Sequence, residues 1–542
     1  MYILLSTLWF IWMLQYVLFW LYLWQLKDYH IGRFVDHFRT HKGQKLIFNF
    51  VQIFKLFLIV LFFIAGSYFN KLFSVLFLIY LAEAVLFLRT ILKKSVKKPI
   101  ITSKTIFLIS ISFAVIILFL FNVIRSEDSL QPVLFSGFDI LTPLIISVIV
   151  LLFQPIFVMA RNNTLRKAKE KMEKIKSVSG VKVVAVTGSY GKTSTKEFLS
   201  TILSKKFKVL KTKDNQNSEI GVAKCILQDL KPSHQIFIAE VGAYDKGKVK
   251  EVCFMLKPSI GIVTGVNEQH LSLFGSMENL LSAEGGRELA DVLPEDGILM
   301  INGNNKYCLD LYKEFNKKIL LGAQAKIYSL SNKTIDSDIW ADEITVHKNG
   351  ISFLAINKSG EMAHFDVDVL GKHNIQNLLG AILMARELGM SFEEISEACK
   401  NILEEQAGMI LKAGKHGINV IDSSYSANPD GVYADLDYFS VFTGKKIIVM
   451  PCLIELGDKS SEIHEKIGKK IVKICDLAII TTKDKFKELK KGAQEAGMAE
   501  KNIVLCDNPH DIYSLVTLFC KSGDAVLLEG RVPNGLINLL IK

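Results

Sequence analysis

The sequence predicts a multi-domain chain: an N-terminal α-helical transmembrane domain, then an α/β P-loop ATPase-like domain, then a C-terminal Rossmann-like α/β domain. Three observations predict it. Half of the 542 residues are hydrophobic, and the excess lies in the first third. From Val181 onward, short β-branched runs alternate with helical patterns, as in a mainly parallel sheet. The first such run leads into VVAVTGSYGKTST, residues 183–195, a strand feeding a glycine turn and a helix.

The mean hydropathy is +0.29. Residues 1–24 contain no charged side chain, and further apolar runs cover about 46–65, 72–92, 106–124 and 140–160. Each is close to the ~20 residues needed to cross a hydrocarbon core. The first run has no positive leading region and no small-residue cleavage site, so it reads as a span and not a signal peptide. Five spans are expected, with Lys55 inside the second.

Basic residues follow the first span (Lys27, Arg33, Arg39, Lys42, Lys45), the third (Lys93, Lys94, Lys97, Lys98, Lys104) and the fifth (Arg161, Arg166, Lys167, Lys169, Lys171, Lys174). The other two connections are short or mixed (Asn70, Lys71; Arg125, Glu127, Asp128). The positive-inside rule then predicts a multi-pass cell-membrane protein with its N-terminus outside and everything after Arg161 in the cytoplasm. The net charge of +11 is largely these flanks. It points to a lipid bilayer as partner and not to nucleic acid, since no aromatic-plus-basic platform accompanies it. Eight scattered cysteines without a CxxC pair read as reduced thiols, not a zinc site or disulfide frame.

Residues 1–160 are thus the membrane domain and 161–180 a charged helical linker, read as solvated or lying on the membrane surface. Strands are expected at 181–186, 236–239, 260–263 and 298–301, within a domain covering 181–407. Turn signals at 348–350 and 358–360 suggest a small antiparallel insertion near 325–370. A second α/β unit, 408–542, has expected strands at 418–421, 446–450, 477–481, 503–506 and 525–528.

The turn after the first strand carries Gly188, Ser189, Gly191, Lys192, Thr193 and Ser194. Backbone N–H groups and a helix N-terminus in this arrangement cradle anionic oxygens. A lysine there reaches terminal phosphates, and a threonine hydroxyl can bind Mg²⁺. The chain is expected to use ATP with Mg²⁺.

Further motifs follow in order: NQNSEIGVA (215–223), AEVGAYDKGKV (239–249), NEQHLSLFGSMENL (267–280), LGKHNIQNLLGAI (370–382), IDSSYSANPDG (421–431) and LIELGDKSSEIHEKIG (453–468). Together with TGSYGKTSTKEFL, this series resembles the Mur ligases of peptidoglycan synthesis. It is most similar to the member that joins D-alanyl-D-alanine to the UDP-muramoyl tripeptide. The resemblance covers about Val181 to the C-terminus. It does not reach the first 160 residues, where soluble members carry a small domain that recognises the UDP part of the substrate.

The resemblance implies an ATP-dependent, ADP-forming acid–amino-acid ligase. A carboxylate takes the γ-phosphoryl group, and an amine then displaces phosphate from the acyl phosphate. The implied catalytic residues are Lys192, Glu240 and His270. Lys192 contacts the β- and γ-phosphates. Thr193 and Glu240 serve one Mg²⁺ and His270 the second. Asn374 and Asn377 hold the adenine, and Asp422 is left to contact the ribose. Asn217, Tyr425, Asn428 and Arg531 belong to the substrate side and the closing C-terminal domain.

The pattern breaks in four places. Where the family carries a lysine that reacts with CO₂ to form a metal-binding carbamate, the simplest alignment places Glu284, whose carboxylate is also a hard oxygen ligand. The alternatives are a two-residue shift that puts Glu288 on an acidic family position, or an exposed Glu284 with no role. The family's acidic pair is reduced to Asp422 and Ser423. Its Gly-Arg is Gly408 and Met409, and the asparagine of YNANP is Ser426.

The leading expectation is a membrane-anchored Mur-type amide ligase. It would act on a cell-envelope precursor, a UDP-linked or lipid-linked peptide, and couple an amino acid or dipeptide such as D-Ala-D-Ala. The alternative is a degenerate, non-catalytic nucleotide-binding scaffold for envelope enzymes. A transporter ranks below both, because the spans offer few ionisable residues (Lys55, Glu83, Arg89) to mark a path.

Overall fold

A computed structural model describes residues 2–47, 49–64, 69–126, 130–213, 216–319, 323–333, 335–425 and 427–541. Met1, Ala65, Glu127, Asp128, Asn215 and Ser426 lie outside the described residues. The chain divides into two compact units, Met1–Asn162 and Asn163–Lys542.

The first unit is built on helices α1 (Tyr2–Leu26), α2 (Phe50–Ile64), α3 (Phe69–Leu92), α4 (Ser103–Ile124) and α5 (Gln131–Leu152), with two short helices, Ile31–His37 and His41–Ile47, between α1 and α2. Among the described residues five helices are long and apolar enough to cross a membrane, judged by length and composition. On α1, Leu5, Trp9, Met13, Val17, Trp20 and Trp24 are buried. Their three- and four-residue spacing puts them on one helical stripe. The Trp9 indole donates to Phe135 O at 3.2 Å and that of Trp24 to Ser147 Oγ at 3.1 Å, tying α1 to α5. Large apolar side chains such as Phe57, Leu78, Leu118 and Leu144 are exposed instead.

The fifth apolar helix does not cover 140–160. It starts at Gln131, with Pro132 in its first turn, and stops at Leu152; a new helix, α6 (Gln154–Ser179), follows. Pro155 explains the break, since it has no N–H to carry on the ladder but fits the first turn of a new helix. The shift brings Asp139 inside α5. The stretch read as a solvated linker is α6, which buries Ala168, Met172 and Ile175 in the core of the second unit. That four- and three-residue spacing is an apolar stripe the charge run obscured.

In the second unit, nine strands among the described residues form one sheet: β1 (Lys182–Thr187), β2 (Val209–Lys211), β3 (Ile236–Glu240), β4 (Ile260–Val263), β5 (Ile298–Asn302), β6 (Gln324–Ser329), β7 (Ile339–Val346), β8 (Ile351–Asn357) and β9 (Met362–Val367). Their order is β2-β3-β1-β4-β5-β6-β7-β8-β9. Strands β2 to β7 pair in parallel; β8 and β9 add antiparallel. The stretch expected as a separate antiparallel insertion therefore continues the central sheet, antiparallel only at its far edge.

Both faces of β1 are buried. Val183 and Ala185 pack with Val222, Cys253 and Leu299, and Val184 and Val186 with Phe198, Leu199, Ile375 and Leu378. Burial on both faces is why the strand reads as a continuous apolar run. Helices α7 (Lys192–Leu203) and α9 (His373–Glu387) supply the second layer, and the short helix α8 (Met277–Ala283) leads to Glu284.

A second sheet of six strands carries the C-terminal part: β10 (Ile410–Ala413), β11 (Asn419–Ser423), β12 (Lys446–Met450), β13 (Leu477–Ile480), β14 (Ile503–Leu505) and β15 (Ala525–Glu529), in the order β10-β11-β15-β12-β13-β14. All pairs are parallel except β10 with β11. Helix α10 (Pro429–Phe439) follows β11. All eight cysteines are free thiols, and all but Cys506 are buried.

Candidate active site

The site is organised by the turn between β1 and α7. Gly188 has φ 141°, and a Cβ there would lie 2.3 Å from Thr264 Oγ1. Gly191 has φ 75°, and a Cβ there would lie 2.6 Å from Asn377 Oδ1. Only glycine meets both demands. Helix α7 starts at Lys192, so its free N–H groups face the turn. Lys192 Nζ donates to Gly188 O and, at 3.2 Å, to Ser189 O. Ser194 Oγ donates to Ala407 O at 3.4 Å.

Parallel register places the first carboxylate. Val186 of β1 pairs with Glu240 of β3, so Glu240 ends its strand beside the loop. Thr193 Oγ1 lies 3.1 Å from both Glu240 oxygens, and Asn217 Nδ2 donates to Oε1 at 2.9 Å. The fully buried Lys196 ammonium stands 3.2 Å from Glu240 Oε2.

The second carboxylate is Glu284, which is buried and not an exposed helical residue. Its Oε2 accepts Ser189 Oγ at 2.8 Å and its Oε1 lies 3.1 Å from His270 Nδ1. Burial raises its pKa, but the His270 charge and hydrogen bond, Lys192 and Ser189 outweigh burial and hold it below the usual carboxylate range. Glu288, the other acidic candidate, is engaged elsewhere. It accepts Gly247 N at 2.6 Å, Lys250 N at 3.0 Å and Ser282 Oγ at 3.2 Å, capping the helix Lys248–Leu256.

His270 has φ 66°, and its Nε2 faces Glu455 Oε2 at 3.6 Å. Glu455, at φ 67°, also accepts Ser272 N at 3.1 Å through its carbonyl. Asn267 Nδ2 donates to Asn428 Oδ1 at 2.9 Å and to Asp430 Oδ2 at 2.7 Å. These contacts bring the β11–α10 and β12–helix segments onto the NEQH segment. Burial pushes the Asp430 carboxyl up, against the Asn267 hydrogen bond.

The two asparagines expected at the adenine support the loop from below. Asn377 Nδ2 donates to Asn374 Oδ1 at 3.0 Å, Asn374 Nδ2 donates to Leu370 O at 2.8 Å, and Asn377 Oδ1 accepts Thr195 Oγ1 at 3.4 Å. Asp422 pairs with Lys412 at 2.6 Å and accepts Ser424 N at 3.1 Å. Ser423 donates to the buried Asp435, and Met409 is buried in the C-terminal core. Tyr425 and Arg531 are exposed on the C-terminal part.

Sequence reasoning did not single out Lys196, Asn267, Asp430 or Glu455. Asn267, Asp430 and Glu455 lie inside motifs it quoted, and Lys196 lies one turn beyond Lys192 on the same helix. The oxygens of Thr193, Glu240 and Glu284 are hard donors that fit Mg²⁺. Among the described residues, no three or more His, Cys, Asp or Glu side chains converge on one metal position. The two carboxylates have different partners, Glu240 with Thr193 and Glu284 with His270. That arrangement fits an ion that is completed by substrate phosphates and water.

Comparison with known proteins shows which families and folds the chain resembles. The Mur ligase middle domain matches residues 186–385, and the Mur ligase glutamate ligase domain matches residues 409–532. The UDP-N-acetylmuramoyl-tripeptide–D-alanyl-D-alanine ligase of Escherichia coli K12 is 30% identical over 292 residues, 53% of this chain and 61% of that protein. The Bacillus subtilis 168 enzyme of the same name is 27% identical over 293 residues, 53% of this chain and 60% of that one. The chain thus spans about three fifths of the length of these relatives. Among solved structures, MurF from Acinetobacter baumannii superposes with TM-score 0.60 at 22% identity, covering 70% of this chain and 79% of that one. The Thermotoga maritima MurF ligase in complex with ADP gives 0.57 at 22%, covering 68% and 80%. At these identities the structures establish the fold.

Proposed function

Because the chain belongs to the Mur ligase family, we propose that it is a membrane-anchored, ATP-dependent, ADP-forming amide ligase for a cell-envelope precursor. The observation that carries the reading is the pair of carboxylates at the phosphate loop, Glu240 on Thr193 and Glu284 on Ser189 and His270. Nucleotide phosphates would sit on the N–H groups of the turn, with Lys192 swinging from Gly188 O to the β- and γ-oxygens. Thr193 and Glu240 would hold one Mg²⁺, and Glu284 and His270 the other. The ions would neutralise phosphate charge.

The acceptor carboxylate attacks the γ-phosphorus and ADP leaves. The incoming amine, having lost a proton to water, attacks the carbonyl carbon of the acyl phosphate. Phosphate departs, carrying off the second proton of the amine, and an amide forms. Aligning the two substrates and stabilising charge supply most of the rate. Asn267, Asn428 and Asp430 join the two halves around this step, and Tyr425 and Arg531 lie on the side that receives the amine. Asn374 and Asn377 would seat the loop under the adenine, and Asp422 would face the ribose.

The five apolar helices would place the ligase domains at the cytoplasmic face of the cell membrane, N-terminus outside, as the basic flanks suggest. A membrane location would bring a lipid-linked acceptor within reach, so the acceptor would be a lipid-linked peptide or the UDP-linked one that the relatives' names indicate. The amine would be an amino acid or dipeptide, D-Ala-D-Ala being the one the relatives' names indicate. Mass spectrometry of products, after incubation with ATP, D-Ala-D-Ala and either precursor class, tests this. Turnover only on the UDP-linked peptide overturns the lipid version. A second reading, a non-catalytic nucleotide-binding scaffold, is favoured by Ser423 and Met409, which are tied up in the protein itself. Amine-stimulated phosphate release that is lost in Lys192→Ala rejects it.

A further inference from the structure

The five-helix unit holds a buried ionic cluster that the ligase chemistry does not use. Lys55 on α2, Glu83 on α3 and Asp139 on α5 are 0%, 7% and 0% exposed. Lys55 Nζ donates to the two Glu83 oxygens at 3.0 and 2.8 Å and also to Asp139 Oδ2. Asp139 Oδ1 accepts Trp12 Nε1 from α1 at 3.2 Å and Gln52 Nε2 from α2 at 3.4 Å. The ammonium also lies 4.3 Å from the centre of the Tyr80 ring. Four helices thus converge on one polar centre.

Two features are left over after these bonds are counted. One is charge. With both carboxylates ionised, two negative groups face one ammonium, and the remaining negative charge is balanced by no described side chain. Enclosing a net charge among apolar helices is costly, and pairing with Lys55 offsets only half of the anionic charge. The other is oxygen. Gln52 Oε1 is buried here without a hydrogen-bond partner, and the buried hydroxyls of Tyr80 and Ser136 face each other, which leaves each with unused lone pairs. Gln52 already bonds Asp139, Tyr80 lies against Lys55, and Ser136 is one turn before Asp139. Buried oxygens with spare lone pairs beside an excess negative charge are the donor set of a hard cation.

We propose that this cluster is an intramembrane site for one monovalent cation, a proton or Na⁺, held by Glu83 and Asp139 with the spare oxygens of Gln52, Tyr80 and Ser136. The membrane domain is then a cation-binding module and not an anchor alone. The proposal uses the membrane placement proposed above and is independent of the ligase chemistry. Among the described residues the titratable groups facing the cluster are Tyr16 from α1, Lys55 from α2, Tyr80 and Glu83 from α3, and Asp139 from α5.

The test uses the full chain in lipid nanodiscs. Melting temperature is measured against Na⁺ at fixed pH, with choline as replacement, and against pH without Na⁺. Each series is read as the difference between wild type and Asp139→Asn. The wild type is expected to show a saturating upward shift in one series, and the responding series identifies the cation. Asp139→Asn and Glu83→Gln remove the surplus charge. They are expected to lose that shift and to match or exceed the wild type in cation-poor buffer. Should either variant misfold, the wild type alone is scored. An infrared carbonyl band from a protonated carboxyl group indicates a proton, and saturable ²³Na line broadening indicates Na⁺. Absence of both signals, or an equal loss of melting temperature in Asp139→Asn under every condition, overturns the proposal and leaves a structural staple. ATP turnover measured alongside reports separately on the ligase reading.

Discussion

His270 Nδ1 and Glu284 Oε1 lie 3.1 Å apart at the mouth of the phosphate loop, and the other Glu284 oxygen accepts Ser189 Oγ at 2.8 Å. We propose that this protein-borne carboxylate takes the part of the lysine carbamate that the family resemblance implies at this point of the sequence. Glutamate needs no CO₂ to be anionic. Ligation is expected to run at the same rate in CO₂-depleted buffer with and without added bicarbonate. Glu284→Gln, which keeps the shape and removes the charge, is expected to lower turnover by about 100-fold. A strong bicarbonate requirement in the wild type would sink the assignment.

Glu288 has a different fate. Its carboxylate accepts two backbone N–H groups and a serine hydroxyl, and it is buried. Glu288→Gln can keep only part of that pattern. Stability is expected to fall by about 1–2 kcal/mol in urea titration, with turnover per folded molecule nearly unchanged. A hundredfold loss of turnover at full stability would move the metal role from Glu284 to Glu288.

These two residues show where the sequence was legible. The sheet was readable because alternate residues of β1, Val183 and Ala185 against Val184 and Val186, are apolar on both faces. The glycine loop was readable because φ and crowding at Gly188 and Gly191 leave no other residue type. Choosing between Glu284 and Glu288, four residues apart around a break in the helix at Gly286, depends on which way each side chain leaves the chain. Periodicity does not say that. Asp139 was hidden because an apolar window was centred too late, past the start of α5. Lys196 was hidden because a charged residue in an amphipathic helix reads as solvated until a strand-end carboxylate is packed beneath it.

Lys196 is fully buried, with Nζ 3.2 Å from Glu240 and 3.3 Å from Glu197. Removing one partner of a buried pair leaves the other charge uncompensated, a cost of about 3–5 kcal/mol. Lys196→Met is expected to destabilise the second unit by about that amount. Added Mg²⁺ is expected to restore part of the loss by supplying positive charge at Glu240. Equal destabilisation with and without Mg²⁺ would show that Glu240 does not meet the ion.

Asp422 gives a pH dependence of defined sign. Burial raises its pKa, but the Lys412 ion pair and the Ser424 hydroxyl and N–H outweigh burial, so the folded value lies below the ordinary 3.8. Its stabilisation is complete above about pH 3.8 and is lost as pH falls through the lower folded value. Wild-type stability is expected to drop in that acidic window, and Asp422→Asn is expected to flatten that part of the curve. Half-burial and screening keep the effect small, so it is read as a change of slope in acid titration followed by circular dichroism. An unchanged slope in Asp422→Asn would remove the pair from the acid transition.

Gly191 and Asn377 can be separated by a double-mutant cycle. A Cβ at Gly191 would meet Asn377 Oδ1 at 2.6 Å, and the backbone there has φ 75°. Gly191→Ala therefore carries two penalties, a clash and about 1 kcal/mol or more of left-handed strain. Asn377→Ala removes the clash partner but also leaves Asn374 Oδ1 without its donor. The double variant is expected to recover the steric part of the loss in nucleotide affinity and not the conformational part. ATP affinity should then rank as wild type, Asn377→Ala, the double variant and finally Gly191→Ala. Strict additivity of the two single effects would mean that the loop does not rest on the asparagine pair, since contacting residues couple and distant ones do not.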